Sequence, residues 1–322
     1  MPRRRSHSAR PRRRWRPGAL LLTTAVLALI GATVLTYSPA ASWLSSYNQS
    51  LVISKYADSI NNLKPKASEQ LAEAHRYNEA LSSGAVLEAN VNVPTGSGKS
   101  SSSEFDYWKL LDTPSRTMSR IQIPKIDVDL PIYHGTSEEA LLEGAGHLQG
   151  TSLPVGGAST RSVITAHRGL ADATMFTDLD KITIGDRFTL TTFGQVLTYK
   201  VIDTRVVDPA DTTTLHQQAG KDLVTLVTCT PLGINSHRIL VTGTRITPTP
   251  PKEKAAAKKA AAVLQFPWWA VFYLSAVLMI ILYTWWAGRV EPKDGLVRGD
   301  IASGRRMAKT PRRRHRRRRG RR

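Results

Sequence analysis

Two uncharged apolar runs, one near each end of the chain, constrain everything between them. From Gly18 to Tyr37 no residue carries a charge, and Leu, Ala, Val and Thr dominate. Phe266 to Gly288 is likewise uncharged, opening on Trp268 and Trp269 and closing on Trp285 and Trp286. At 1.5 Å per residue, about 20 helical residues reach ~30 Å, the thickness of a bilayer's hydrocarbon core. Indole rings at both ends of a run suit the two headgroup layers. Transmembrane helices are therefore predicted over 18–37 and 266–288. The first run also has the basic start and the Ser38-Pro39-Ala40-Ala41-Ser42 end of a cleavable secretory signal. Its length argues for a retained span.

Charge decides orientation. The formal net charge is +20 over 322 residues, which invites a nucleic-acid reading. Its placement argues against one. Residues 1–16 hold eight arginines and no acid, 289–322 hold fifteen Lys and Arg against three acids, and 17–288 has 22 of each sign. The part between the tails has no bulk positive charge, so no nucleic-acid partner is expected. Lysines and arginines beside a span stay cytoplasmic. The basic tails 1–17 and 289–322 are thus both expected in the cytoplasm, with residues 38–265 outside, on a two-pass protein of the plasma membrane. The arginine-rich end, Pro311 to Arg322, suits anionic headgroups better than nucleic acid.

Cys229 is the sole cysteine, which excludes an intrachain disulfide framework. A single thiol on an exported domain is open to oxidation, so its presence points toward chemistry. A buried apolar cysteine is the plain rival.

Residues 38–90 read as a helical extension. Leu44, Tyr47, Leu51, Ile60 and Leu63 recur in steps of three or four in places, and beyond Pro65 the set Leu71, Ala74, Tyr77 and Leu81 shares a face. Residues 91–108, with Pro94, Gly96, Gly98 and Ser100 to Ser103, read as a flexible loop. Pro94 to Ser100 ends in Gly-Lys-Ser but lacks the spacing of a phosphate-binding loop. From Met118 short β runs follow, at Ile121–Leu130, Val163–Ala166, Phe188–Thr191, Leu197–Ile202, Leu223–Thr228 and Ile239–Ile246, with glycines and prolines between them. Such spacing predicts a mainly β domain over 109–247, a closed or half-closed barrel. Short helices fit Ser137–Glu143 and Ala173–Leu179. Residues 248–265 read as a linker, opening on three prolines in four residues.

Three reactive residues fall at strand ends. His167 follows Val163–Ala166, Cys229 follows Leu223–Thr228, and Arg238 precedes Ile239. The logic is acyl transfer. A thiolate attacks a carbonyl far better than a thiol does. An imidazole can take that proton or give one to a departing amine. A guanidinium can hold a developing oxyanion or a substrate backbone. A turn histidine and a surface arginine are the plain alternatives. His134, His147, His216 and His237 show no ligand rhythm, so no metal or other cofactor is expected. His237 and Arg238, as strand neighbours, should point to opposite faces.

The segment Thr165-Ala166-His167-Arg168-Gly169 resembles the catalytic-histidine motif of the sortases. Thr225-Leu226-Val227-Thr228-Cys229-Thr230-Pro231 resembles their cysteine motif, and Asn235-Ser236-His237-Arg238-Ile239-Leu240-Val241 their arginine-bearing strand. Ile123-Pro124-Lys125-Ile126, Leu130 to Thr136, and Gly146-His147-Leu148 through Pro154 are similar to early barrel segments of the family. The resemblance covers about residues 107–247. With two spans and a helical lead-in, it is to class C, the pilus-assembling sortases of Gram-positive bacteria. It implies a closed sortase-type barrel and a transpeptidase that cleaves an LPxTG-like signal between Thr and Gly. Cys229 would be the nucleophile, His167 the proton carrier and Arg238 the oxyanion and substrate support. The acceptor would be a lysine amine on a pilin subunit, or a peptidoglycan amine if the enzyme anchors surface proteins. A non-enzymatic membrane-tethered binding module is the reading from another class. One departure stands out: class C members often carry an Asp-Pro-aromatic lid, and no such triplet occurs here. Phe105, Asp106 and Trp108 are the candidate lid residues, with packing on the barrel as their alternative role.

Overall fold

The structure, a computed structural model, describes residues 14–82, 99–100, 105–171, 173–211, 213–259 and 266–290. Most of the predicted loop 91–108, most of both basic tails and the end of the linker lie outside these residues. The chain divides into two compact units.

The first unit contains one end of each long apolar helix, α1 (Ala19–Ser59) and α5 (Trp268–Ala287). There Arg14–Trp15 pairs antiparallel with Arg289–Val290. Trp15 Nε1 donates to the Thr284 carbonyl at 3.4 Å, and the Arg289 guanidinium lies 3.4 Å from the centre of the Trp285 ring. The helical stretches Ala19–Asn62 and Trp268–Ala287 are long and apolar enough to cross a membrane, with mean hydropathy 2.2 and 1.8 over their most apolar windows, none of it buried.

In the second unit α1 runs on past Pro39 without a break. Its buried face is Gln49, Ile53 and Tyr56. The stripe Leu44, Tyr47 and Leu51, read from periodicity, is exposed. This helix docks through a different face, where Ile53 and the Tyr56 ring pack and two polar groups bond to the barrel side. The Tyr56 hydroxyl donates to the Met118 carbonyl at 3.2 Å and accepts from the Phe193 N–H at 2.8 Å. The Gln49 amide donates to the Glu143 carbonyl at 3.3 Å. Apolar spacing does not report such contacts. Beyond Pro65, α2 (Ala67–Ala80) buries the expected face, with Ala74, Tyr77 and the following Leu81 in the core. Asn78 bonds both backbone groups of Leu153, at 3.1 and 2.7 Å.

Among the described residues eight strands close a barrel. They are β1 (Thr117–Ile123), β2 (Val128–His134), β3 (Ala145–His147), β4 (Thr160–Thr165), β5 (Arg187–Thr192), β6 (Gln195–Val207), β7 (Asp222–Thr230) and β8 (His237–Ile246). Their order around the barrel is β1-β2-β3-β4-β7-β8-β6-β5 and back to β1. β2–β3 and β4–β7 are parallel and the other pairs antiparallel. Ile121, Ile132, Ile164, Leu190, Leu226 and Val241 belong to the main core. The β6–β8 register slips at Thr242/Gly243, where a Cβ on Gly243 would stand 2.6 Å from the Phe188 ring. Glycine there admits the Phe188–Tyr199 stack, with centroids 5.6 Å apart.

The short helix α3 (Glu138–Glu143) forms where expected, with the Ser137 hydroxyl capping it by accepting from the Ala140 N–H. Ala173–Leu179 is not a helix, and this corrects the periodicity reading. The segment turns at 175–178 and ends in a 3-10 turn over Leu179–Lys181. Met175 lies at φ +41°, and the Phe176 N–H donates to the His167 carbonyl at 3.0 Å. The backbone of this segment is therefore used to brace a neighbouring loop. In the predicted linker, Pro251–Ala257 forms a further helix, α4.

Tyr56→Phe removes the acceptor of a buried N–H. Leaving that group unpaired costs about 1–3 kcal/mol. Thermal unfolding of the full chain in detergent should show a lowered midpoint, and an unchanged one would mean that this hydroxyl does not hold the helix to the barrel.

Candidate active site

Strand register places the three candidate catalytic residues. Cys229 and Arg238 are direct cross-strand partners on β7 and β8. On the other side of β7, Thr165 of β4 pairs with Val227, and the ladder continues with the Ala166 N–H donating to the Val227 carbonyl at 3.2 Å. The Thr228 hydroxyl closes the same seam, donating to the Ala166 carbonyl at 2.8 Å. Extended two residues beyond that last pair, the same register would set His167, just past the end of β4, level with Cys229. The runs that form these strands are rich in β-branched residues, as buried strands require.

Side chains alternate along a strand, so Cys229 shares its face with Val227, and Arg238 shares its face with Leu240. Val227 and Leu240 belong to a second apolar cluster with Leu148, Val163, Val207 and Leu215, separate from the main core. The row His167, Cys229, Arg238 therefore stands at the end of this outer-face cluster, with Val207 of β6 paired to Arg238 on the far side. His237 is exposed while Arg238 is 1% exposed, as alternation requires.

Burial is deep across the row. Cys229 is 7% and His167 8% exposed. The Arg238 guanidinium donates to the carbonyls of Asn235 and His237 at 2.8 and 3.1 Å. Burial pushes the Cys229 thiol above its ordinary pKa, and the nearby Arg238 charge pulls it part of the way back. His167 Nε2 lies 3.4 Å from the Glu138 carboxylate.

The loop after His167 is tied down. Arg168 donates to the Thr177 carbonyl, to the Thr230 hydroxyl at 2.8 Å and to Asp180 at 2.6 Å. Gly169 sits at φ +75°, and a Cβ there would collide with the Leu232 side chain. The left-handed conformation is what favours glycine here, since the Leu232 methyl is the mobile end of an exposed side chain.

The candidate lid residues make their described contacts elsewhere. The Phe105 ring packs edge-on to Tyr77, centroids 5.9 Å apart, against the main core. Asp106 accepts from the Trp108 N–H at 3.1 Å and pairs with Lys109 at 3.0 Å. Trp108 is 55% exposed and lies beside Gly135 and His134. Trp108, Arg116, Tyr133 and His134 line a cleft of about 250 Å³ that contains none of the three catalytic candidates. Concavity and the candidate reactive groups thus diverge here. Two other histidines, His147 and His134, are engaged apart from that row. His147 bonds the Tyr107 hydroxyl and the Ser152 carbonyl, and burial pushes it down to about 4. His134 contacts the Leu110 carbonyl at 2.6 Å.

Glu138 and the Arg168 brace were not singled out from sequence. The Ser137-Glu138-Glu139 run signalled a helix start, and nothing in linear spacing ties it to His167.

A sortase domain family matches residues 121–246. Sortase D of Bacillus subtilis (strain 168) is 31% identical over 130 residues, 39% of this chain and 63% of that protein. Sortase A of Bacillus anthracis is 27% identical, over 40% of this chain and 59% of that protein. The chain thus matches about three-fifths of the length of these curated relatives. The crystal structure of sortase C-1 from Actinomyces oris is 46% identical, covering 56% of this chain and 99% of that one, with a TM-score of 0.51. Sortase C of Streptococcus pneumoniae is 39% identical, covering 62% and 98%, with a TM-score of 0.55. With nearly the whole of these solved domains matched by the barrel and its helical lead-in, the chain belongs to the sortase family, and its structural likeness is to the class C members.

Proposed function

We propose that the chain is a membrane-tethered cysteine transpeptidase that polymerises pilin subunits. The observation that carries the reading is the row itself: Cys229 opposite Arg238, with β4, which leads into His167, on the other flank, in a barrel of sortase type.

The proposed reaction has two halves. Cys229, on losing its proton to His167, attacks the threonine carbonyl of an LPxTG-like signal. The Thr–Gly bond breaks, and His167 returns a proton to the departing glycine amine. The acyl group is then held as a thioester on Cys229. A lysine amine of another pilin attacks that thioester, His167 accepts the amine's proton, and an isopeptide bond forms as the thiolate leaves. The thioester conserves the energy of the broken peptide bond, so the second half needs no external energy source. Arg238 would steady the oxyanion in both halves. Because burial favours the neutral thiol, the proton is expected to leave when substrate arrives rather than beforehand.

The long apolar helices and their arginine-rich flanks support tethering with both termini cytoplasmic and residues 38–265 outside. The class C likeness favours a pilin acceptor over a cell-wall amine. Mass analysis of the product linkage separates the two.

Two outcomes test this reading. Cys229→Ala should abolish both the peptide adduct seen by intact mass and the high-mass pilin ladders; ladders that persist would remove Cys229 from the reaction. Arg238→Gln should lower kcat about 10²–10³-fold, the usual cost of losing one oxyanion donor. It should also move the pH midpoint of Cys229 alkylation upward, because the positive charge that favours the thiolate is gone. A midpoint that stays or falls would show that Arg238 does not act on the sulfur.

A further inference from the structure

The imidazole of His167 has a neighbour that the transpeptidase reading does not use. Nε2 is sealed from solvent and has no hydrogen-bond partner among the described residues. The group facing it is the Glu138 carboxylate, with Oε1 3.4 Å away. A buried polar atom left unpaired is costly, and the carboxylate lies ~0.5 Å beyond an ordinary hydrogen-bond distance. Glu138 is free to close that gap, since its side chain is 56% exposed while that of His167 is 9% exposed.

The backbone beneath Glu138 is fixed. Ser137 caps the helix through the Ala140 N–H, and one turn on Leu141 is fully buried against the barrel. Glu139, the next residue, points away from this pairing and sits 3.8 Å from Arg116. The two adjacent carboxylates therefore have different partners, and Glu138 is the one that faces the imidazole.

We propose that Glu138 is a positioning residue for His167. Its carboxylate fixes the ring and steadies the imidazolium that exists between deprotonation of Cys229 and protonation of the departing amine. This rests on His167 being the proton carrier. The pair gains its full strength only while the ring is charged, so the benefit falls on the reacting complex and on kcat rather than on substrate binding.

The test uses the full chain in detergent with an LPxTG peptide and an amine acceptor. Glu138→Gln should lower kcat about five-fold, equivalent at 1.36 kcal/mol per decade to ~1 kcal/mol, with KM within about two-fold. Glu138→Asp should recover at least half of the loss, and Glu139→Gln should match the wild type. Combined with His167→Ala, Glu138→Gln should cost nothing more, as expected for a residue acting through the histidine. Histidine-selective nitrogen NMR supplies a readout independent of turnover: the His167 ring signals should shift in Glu138→Gln and stay put in Glu139→Gln. Unshifted ring signals, a loss equal in the two glutamine variants, or a loss that persists without His167 would each overturn the proposal. If the wild type formed no thioester while the ring signals still shifted, the transpeptidase reading would fail and the pairing would stand.

Discussion

The seam where β4, β7 and β8 share one register is the constraint on which the candidate site depends. β7 pairs in parallel with β4 and antiparallel with β8. Neither strand could slip by one residue without turning its reactive side chain to the other face. A row of imidazole, thiol and guanidinium needs three chain segments brought to one level with one parity, and the barrel supplies that through its backbone ladders, with the Thr228 hydroxyl on the Ala166 carbonyl closing the β4–β7 seam. The apolar cluster of Val163, Val227, Leu240 and their neighbours continues the same face below the row. Packing and chemistry are thus set by a single choice of register.

The electrostatics follow from that placement. The sulfur lies where water is scarce, which favours its neutral form, while the guanidinium on the facing strand favours the thiolate. A thiol held in this balance is less exposed to oxidation at rest than a standing thiolate would be. That matters for a domain proposed to work outside the cell.

Much of the barrel was legible in the chain because β-branched runs between glycines and prolines report strands directly. Val163–Ala166, Leu223–Thr228 and Ile239–Ile246 are such runs, and the three strand-end residues could be picked from them. β3 escaped the pattern of β-branched runs because Ala145-Gly146-His147 has neither length nor branching, and only the family resemblance pointed to it. The docked face of α1 escaped because it is offset from the Leu44–Leu51 stripe and mixes apolar contact, from Ile53 and the Tyr56 ring, with hydrogen bonds from Gln49 and the Tyr56 hydroxyl. Ala173–Leu179 resembles a helix in composition, yet its own backbone bonds are two separate turns, Thr177 to Thr174 and Leu179 to Phe176, and the Phe176 N–H goes to the His167 carbonyl instead of continuing a helical ladder. Glu138 was invisible as a site residue because its relation to His167 is one of space, across 29 positions of sequence.

The contact between Gly169 and Leu232 reaches beyond conformational tolerance. It sets the loop after β4 beside the loop after β7, and the Arg168–Thr230 bond ties the first of these loops to the last residue of β7. The two loops therefore lie against each other, and a longer or bulkier replacement of one meets the Leu232 side chain or the Arg168–Thr230 bond first. Transplanting recognition properties between barrels of this kind would require moving both halves as a matched set.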